Sequence, residues 1–141
     1  MAARLAIAVA VLLLLIGSTN AQQPCTERFP SGEYKGMLSC TAFQYVLLDD
    51  PFTVREVKGT VTISSDGQPI PNVVVELRDQ VGNVVATGTD SQGRFRFKHL
   101  QDGTYKFKTT SLGFSSVMGT IVLNRHADRN RTVSVKMPVG V

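Results

Sequence analysis

The sequence predicts an all-β chain, a seven-stranded Greek-key β-sandwich carried behind a secretory leader. Three observations point there. Seven short β-segments run between Val57 and Met137, six of them with apolar residues recurring at period two. Every pair of neighbouring segments is separated by Gly, Asn, Asp or Pro, the residues that tight reversals need. An uninterrupted apolar run stands near the first residue.

That run is the first element. Arg4 supplies a positive start, Ala6 to Ile16 an apolar stretch, and Thr19-Asn20-Ala21 a small-residue cleavage site before Gln22, so residues 1–21 read as a signal peptide. A membrane anchor needs about 20 apolar residues, and this run is broken at Gly17 well short of that. A bacterial lipid anchor would want a small residue before the cysteine, whereas Cys25 follows Gln22, Gln23 and Pro24. The expected product is secreted, extracellular or periplasmic in a Gram-negative host, with no stable membrane span after cleavage.

Removing 21 of the 141 residues leaves 120, enough for one domain. It divides into an N-terminal extension, residues 22–52, and the sandwich, residues 53–141. The leader takes one Arg, so 14 Lys and Arg stand against 11 Asp and Glu, a net charge of +3. That excess argues for loose attraction to anionic surfaces and not for nucleic acid. Cys25 and Cys40 both fall in the extension. An even pair in an oxidising compartment reads as a disulfide, closing a loop of about 15 residues and adding on the order of 3 kcal/mol.

The extension is broken by Pro24, Pro30, Gly32 and Gly36, and its one sustained apolar run is Phe43 to Leu48. The run is short enough for a strand or a helical turn, and it is expected to pack, because leaving it in water would expose a large patch. The strands then follow in order. Val57, Gly59, Val61 and Ile63 share one face of the first; Val73, Val75 and Leu77 one face of the second; Val84 to Ala86 form the third. Phe95 and Phe97 mark the fourth, Tyr105 and Phe107 the fifth, Val117 to Leu123 the sixth, and Val133, Val135 and Met137 the seventh. Val61, Val75, Phe97, Tyr105 and Val135 are the expected core, and the first, second, fourth and fifth strands each have a polar opposite face.

If successive strands reverse, the turns around Asp66, Asp90 and Gly113 gather at one end and those around Gly82, Asp102 and His126 at the other. A plain hairpin between the fourth and fifth strands would set Lys98 against Lys106 and Arg96 against Lys108, and like charges directly opposite are destabilising. A crossover between sheets avoids this. Leu100-x-x-Gly103-x-Tyr105 also has the spacing of a tyrosine corner, in which a Tyr hydroxyl bonds back across the turn that changes sheets.

Gly59-x-Val61, Gly67-x-Pro69-Ile-x-Asn-Val-x-Val75-x-Leu77 and Thr89-Asp90-x-x-Gly93-x-Phe95-x-Phe97-x-x-Leu100-x-x-Gly103-x-Tyr105 together give the chain a family likeness. It resembles the carboxypeptidase regulatory-like domains, whose transthyretin-like or prealbumin-like fold is grouped with carbohydrate-binding-like sandwiches. The resemblance implies a module that usually accompanies something else: a metallocarboxypeptidase domain, an outer-membrane receptor or a surface adhesin. Related surface modules close a Lys–Asn isopeptide bond with the help of an acid, and the segment where that acid is expected, Lys106 to Phe114, holds none.

Catalytic material is thin. His99 lies at the end of a strand, where a capped, partly buried imidazole is expected, and His126 lies in an Arg-rich loop. Asp66, Asp79, Asp90, Asp102 and Asp128 each have a sufficient role in a turn, and no calcium-loop pattern brings several together. No enzyme, metal or cofactor is expected. Asn130-Arg-Thr132 fits the glycosylation pattern, which matters in a eukaryotic secretory route.

The leading expectation is a secreted, non-enzymatic structural or protein-interaction module whose partner is an unknown protein or cell-envelope component. Carbohydrate binding is the alternative, and hydrolysis a remote one. There is no Trp, so sugar stacking would fall to Phe29, Tyr34, Phe43, Tyr45, Phe52 or Phe114; Phe114 and Tyr45 are the named ligand-contact candidates. Arg94, Arg96, Lys98, Lys106 and Lys108 all point away from the core if Phe95, Phe97, Tyr105 and Phe107 point into it. They form the candidate surface for an anionic partner such as lipid headgroups or acidic polysaccharide.

Overall fold

In a computed structural model the described residues are 25–41 and 44–140, and the signal segment lies outside them. Nine strands are present there, and no helix: β1 (Tyr45–Leu47), β2 (Phe52–Val54), β3 (Lys58–Ile63), β4 (Val74–Arg78), β5 (Val84–Gly88), β6 (Arg94–Arg96), β7 (Gly103–Thr110), β8 (Ser116–Leu123) and β9 (Val133–Met137). The seven expected strands are β3 to β9. The two further ones are three-residue strands, β1 and β2, which pair in succession, both parallel, along the outer edge of β8.

The strands form two sheets. One runs β1-β8-β7-β4-β5 with β2 also on β8, and the other runs β6-β3-β9. The fourth and fifth expected strands, β6 and β7, thus lie in different sheets. At the crossover the Tyr105 hydroxyl donates to the Gln101 carbonyl at 2.6 Å, which is the tyrosine corner.

Between the sheets Val61, Val75, Leu77, Phe107, Ile121, Val133, Val135 and Met137 are buried, and Phe52 tilts against Phe107 at 5.9 Å. Phe97 is only half-buried, one residue beyond the end of β6 where the chain is already leaving the sheet; it meets Phe95 edge-on at 6.4 Å. His99 is exposed, in a left-handed conformation (φ 61°), and not the partly buried imidazole expected.

Two glycines of the family-like pattern have steric reasons. A Cβ at Gly59 would lie 1.7 Å from the Val133 carbonyl oxygen, so β3 and β9 approach this closely only without one. Gly93 sits at φ 72° with its Cβ direction 2.5 Å from the Val61 carbonyl oxygen, and its own carbonyl accepts from the Val61 amide at 2.8 Å.

Residues 25–41 make a third layer over the outer face of the larger sheet. Leu38 hydrogen-bonds to β4, Arg78 of β4 donates to the Glu33 carbonyl at 3.1 Å, and Lys106 of β7 pairs with Glu33 at 3.8 Å. Cys25 and Cys40 stand at disulfide distance, their Cα atoms 5.7 Å apart, and tie the two ends of this layer together. The polar outer faces of β4 and β7 are therefore covered, against the expectation that they meet solvent.

Candidate functional site

Beneath that layer lies a small charged cluster. Glu76 on β4 and Lys108 on β7 are register partners, and both are buried. Glu76 Oε1 accepts from the Leu38 amide at 3.0 Å and Oε2 from Arg28 at 3.4 Å, while Lys108 Nζ donates to Thr110 Oγ1 at 2.5 Å. Burial outweighs these contacts and raises the Glu76 carboxyl above its usual range. Burial likewise pulls Lys108 down to about 8, against the pull of the Glu76 charge. Perturbed pairs of this kind occur at catalytic sites, but there they face a cleft. Here fully buried Met37 and nearly buried Leu38 belong to the layer above, which makes the cluster structural.

The same layer leaves a hollow at its rim. Phe29, Tyr34 and Glu33 of the extension meet Tyr45 and Leu47 of β1 and Met118 of β8 around a cavity of about 220 Å³. Tyr45 and Leu47 alternate onto this face as strand geometry requires. Burial, and secondarily the Glu33 charge, push the Tyr34 phenol up to about 12. Beside the hollow the apolar run fails to pack as expected: Tyr45, Val46 and Leu47 are 54, 36 and 55 % exposed, and of the described part of the run only Leu48 joins the core. A three-residue edge strand has a neighbour on one side only, which leaves its outer side open.

The other sequence candidates distribute as follows. Phe114 folds inward and packs on the core, held there by the bridge between its residue and Val139 and by the Gly140 amide donating to the Gly113 carbonyl. Tyr45 stays exposed, so the two ligand-contact candidates do not share a site. Phe43 lies outside the described residues. The five basic positions do not form one surface. Arg94, Arg96 and Lys98 go with the smaller sheet, while Lys106 and buried Lys108 point outward from the larger one, because strands in opposite sheets turn their outer faces in opposite directions.

The turn aspartates act locally. Asp79, Asp90 and Asp102 accept amide hydrogens from Asn83, Arg94 and Arg125 respectively, which holds each carboxyl below its usual range. Among the described residues, no three His, Cys, Asp or Glu side chains cluster as metal ligands. No helix among them is long and apolar enough to cross a membrane. The convergence of Phe29, Tyr34 and Tyr45 was not readable from the chain, since only the folding of the extension over β8 brings them together.

The model of the carboxypeptidase regulatory-like domain matches residues 56–138. The chain belongs to that family. As a carboxypeptidase regulatory-like domain, the matched region is a non-catalytic module, and it covers β3 to β9 while leaving β1, β2 and the covering layer outside. No curated protein sequence matches the chain. Among solved structures the domain is similar to the Bacillus anthracis TIE protein, at 21 % identity and a TM-score of 0.51 over 64 % of this chain. The match spans 18 % of that protein, so the likeness is one of fold.

Proposed function

We propose that the chain is a secreted, non-enzymatic β-sandwich module that works by binding a protein partner along the β1 edge. The observation that carries this is the exposure of Tyr45, Val46 and Leu47 on an edge strand with an open side. Sheet edges in monomers are ordinarily blunted by charge, proline or cover, and an apolar edge suits an added strand from a partner. The leader pattern and the cysteine pair support secretion. A photo-crosslinking residue at position 47, in protein secreted by its own host, should give a discrete protein adduct that the same residue at position 81 does not. Equal adducts at both positions, or none at 47, overturn the reading.

One observation favours carbohydrate as a second reading: three aromatic rings and the Glu33 carboxylate converge on the hollow beside β1. Stacking faces next to a polar group are what a sugar ring needs. In that case Tyr34→Ala and Tyr45→Ala should each abolish retention on a neutral polysaccharide, with little dependence on salt.

A further inference from the structure

The outer face of the smaller sheet carries a different surface, far in chain terms from the β1 edge. Register places Arg96 opposite Lys58 and Arg94 opposite Thr60 across β6 and β3, then Thr60 opposite Ser134 and Thr62 opposite Lys136 across β3 and β9. Partners in register share a face, so this face is a grid of cations interleaved with hydroxyls, with spacings of about 5 Å across strands and about 7 Å along them. Lys98 continues it beyond β6, lining a hollow with Arg55 and Arg96, and Arg129 closes another beside Arg55 and Lys58.

The molecule's charge is concentrated here. These seven cations stand against two carboxylates, Glu56 and Asp90, a net +5, whereas the remaining seven Lys and Arg of residues 22–141 stand against nine Asp and Glu, a net −2. Lys58 and Arg96 form a like-charged cross-strand pair, which costs stability. Glu56 relieves it, reaching Lys58 at 3.4 Å and Arg96 at 3.9 Å, and Asp90 reaches Arg94 at 3.2 Å. All three cations already hold a carboxylate while their side chains remain 43 to 62 % exposed, free to take another. Alongside runs an open trough of about 640 Å³ lined by Lys58, Thr60, Arg94, Arg96 and Thr132.

We propose that this face binds an acidic polysaccharide, its carboxylates or sulfates taken by Arg94, Arg96 and Lys58 and its hydroxyls by Thr60, Thr62 and Ser134. Guanidinium forks suit planar carboxylates, and a charged face multiplies weak contacts along a polymer. A bilayer or a nucleic acid fits less well. The exposed large apolar side chains lie on β1, on β5 and in loops, and the two rings that reach this face, Phe95 in the wall of the trough and Phe97 beside Lys98, are buried and half-buried, so neither stands out to enter a bilayer or to stack a base.

The test is retention of the secreted chain on immobilised polygalacturonate and dextran sulfate, with neutral dextran, phosphatidylglycerol vesicles and oligothymidylate as comparators. Retention on the acidic polymers should fall steeply as salt rises, since exposed charges are screened beyond about 10 Å at 0.1 M. Arg94→Glu with Arg96→Glu should weaken it by about tenfold or more, while Lys35→Glu with Arg125→Glu, the same change in net charge elsewhere, should leave it within about twofold. Circular dichroism of both variants should match the parent. No retention on either acidic polymer, equal loss in the two double variants, or tighter binding to vesicles or oligothymidylate overturns the proposal. Loss of the β1 contact leaves it standing, because the two surfaces share no residue.

Discussion

Glu76 and Lys108 face each other across β4 and β7 with neither in contact with solvent, and what hides them is a segment nearly forty residues or more earlier in the chain. A buried pair of opposite charges is costly to break from one side only. Glu76→Leu should therefore destabilise by about 3 kcal/mol, Lys108→Met by a similar amount, and the double replacement by less than the sum of the two, as read by chemical denaturation. Additivity would mean that the pair is not coupled.

The pH dependence of stability follows with a definite sign. Lys108 titrates at about 8 in the folded chain against an ordinary 10.5, so between those values the unfolded chain binds more protons and stability rises with pH. Tyr34 goes the other way: at about 12 against an ordinary 10.0, its contribution is full below pH 10 and is lost as pH climbs through 12. Wild type should gain stability from pH 8 to about 10 and lose it beyond. Lys108→Met should remove the rise and keep the fall.

Core substitutions should rank by burial. Phe107, fully enclosed, should cost about 3–5 kcal/mol when changed to Ala, and half-buried Phe97 clearly less. Equal midpoint shifts for the two would place Phe97 deeper than its corner position allows.

Gly59→Ala should cost about 3 kcal/mol or more, because the new methyl group meets a backbone oxygen that moves only if β3 and β9 part. Gly88→Ala, with its nearest neighbour at 3.9 Å, is the comparison and should cost little.

Mature protein from an oxidising compartment should begin at Gln22 and gain the mass of two hydrogen atoms on reduction, as Cys25 and Cys40 open. Replacing both by Ser should remove on the order of 3 kcal/mol. Hydrogen exchange at the Leu38 amide, which caps Glu76, should accelerate with it.

Of the strands β3 to β9, six could be placed from period two and β5 from its short apolar run, and the Tyr105 spacing together with like-charge avoidance separated β6 from β7. That avoidance is not general, since Arg96 faces Lys58 and Arg78 faces Lys106, each pair relieved by a nearby glutamate. Lys108 misled because an outward-facing lysine under a covering segment has the same alternation as one in water. The cover comes from residues whose order depends on a cysteine tie and on turns, with no periodicity to announce them. For the same reason the hollow at Tyr45 and the sheet-wide basic grid became visible only once the register was known.

β3 opens the family domain and β9 closes it, and the two run parallel as neighbours through five registered pairs from Gly59 to Ile63. Tension drawn between residues 57 and 137 pulls these strands along their own axes in opposite senses. The ladder then resists as a lap joint, with its hydrogen bonds loaded together in shear, where an antiparallel end-hairpin would unzip one bond at a time. A module wired this way transmits a pull across itself before it lengthens.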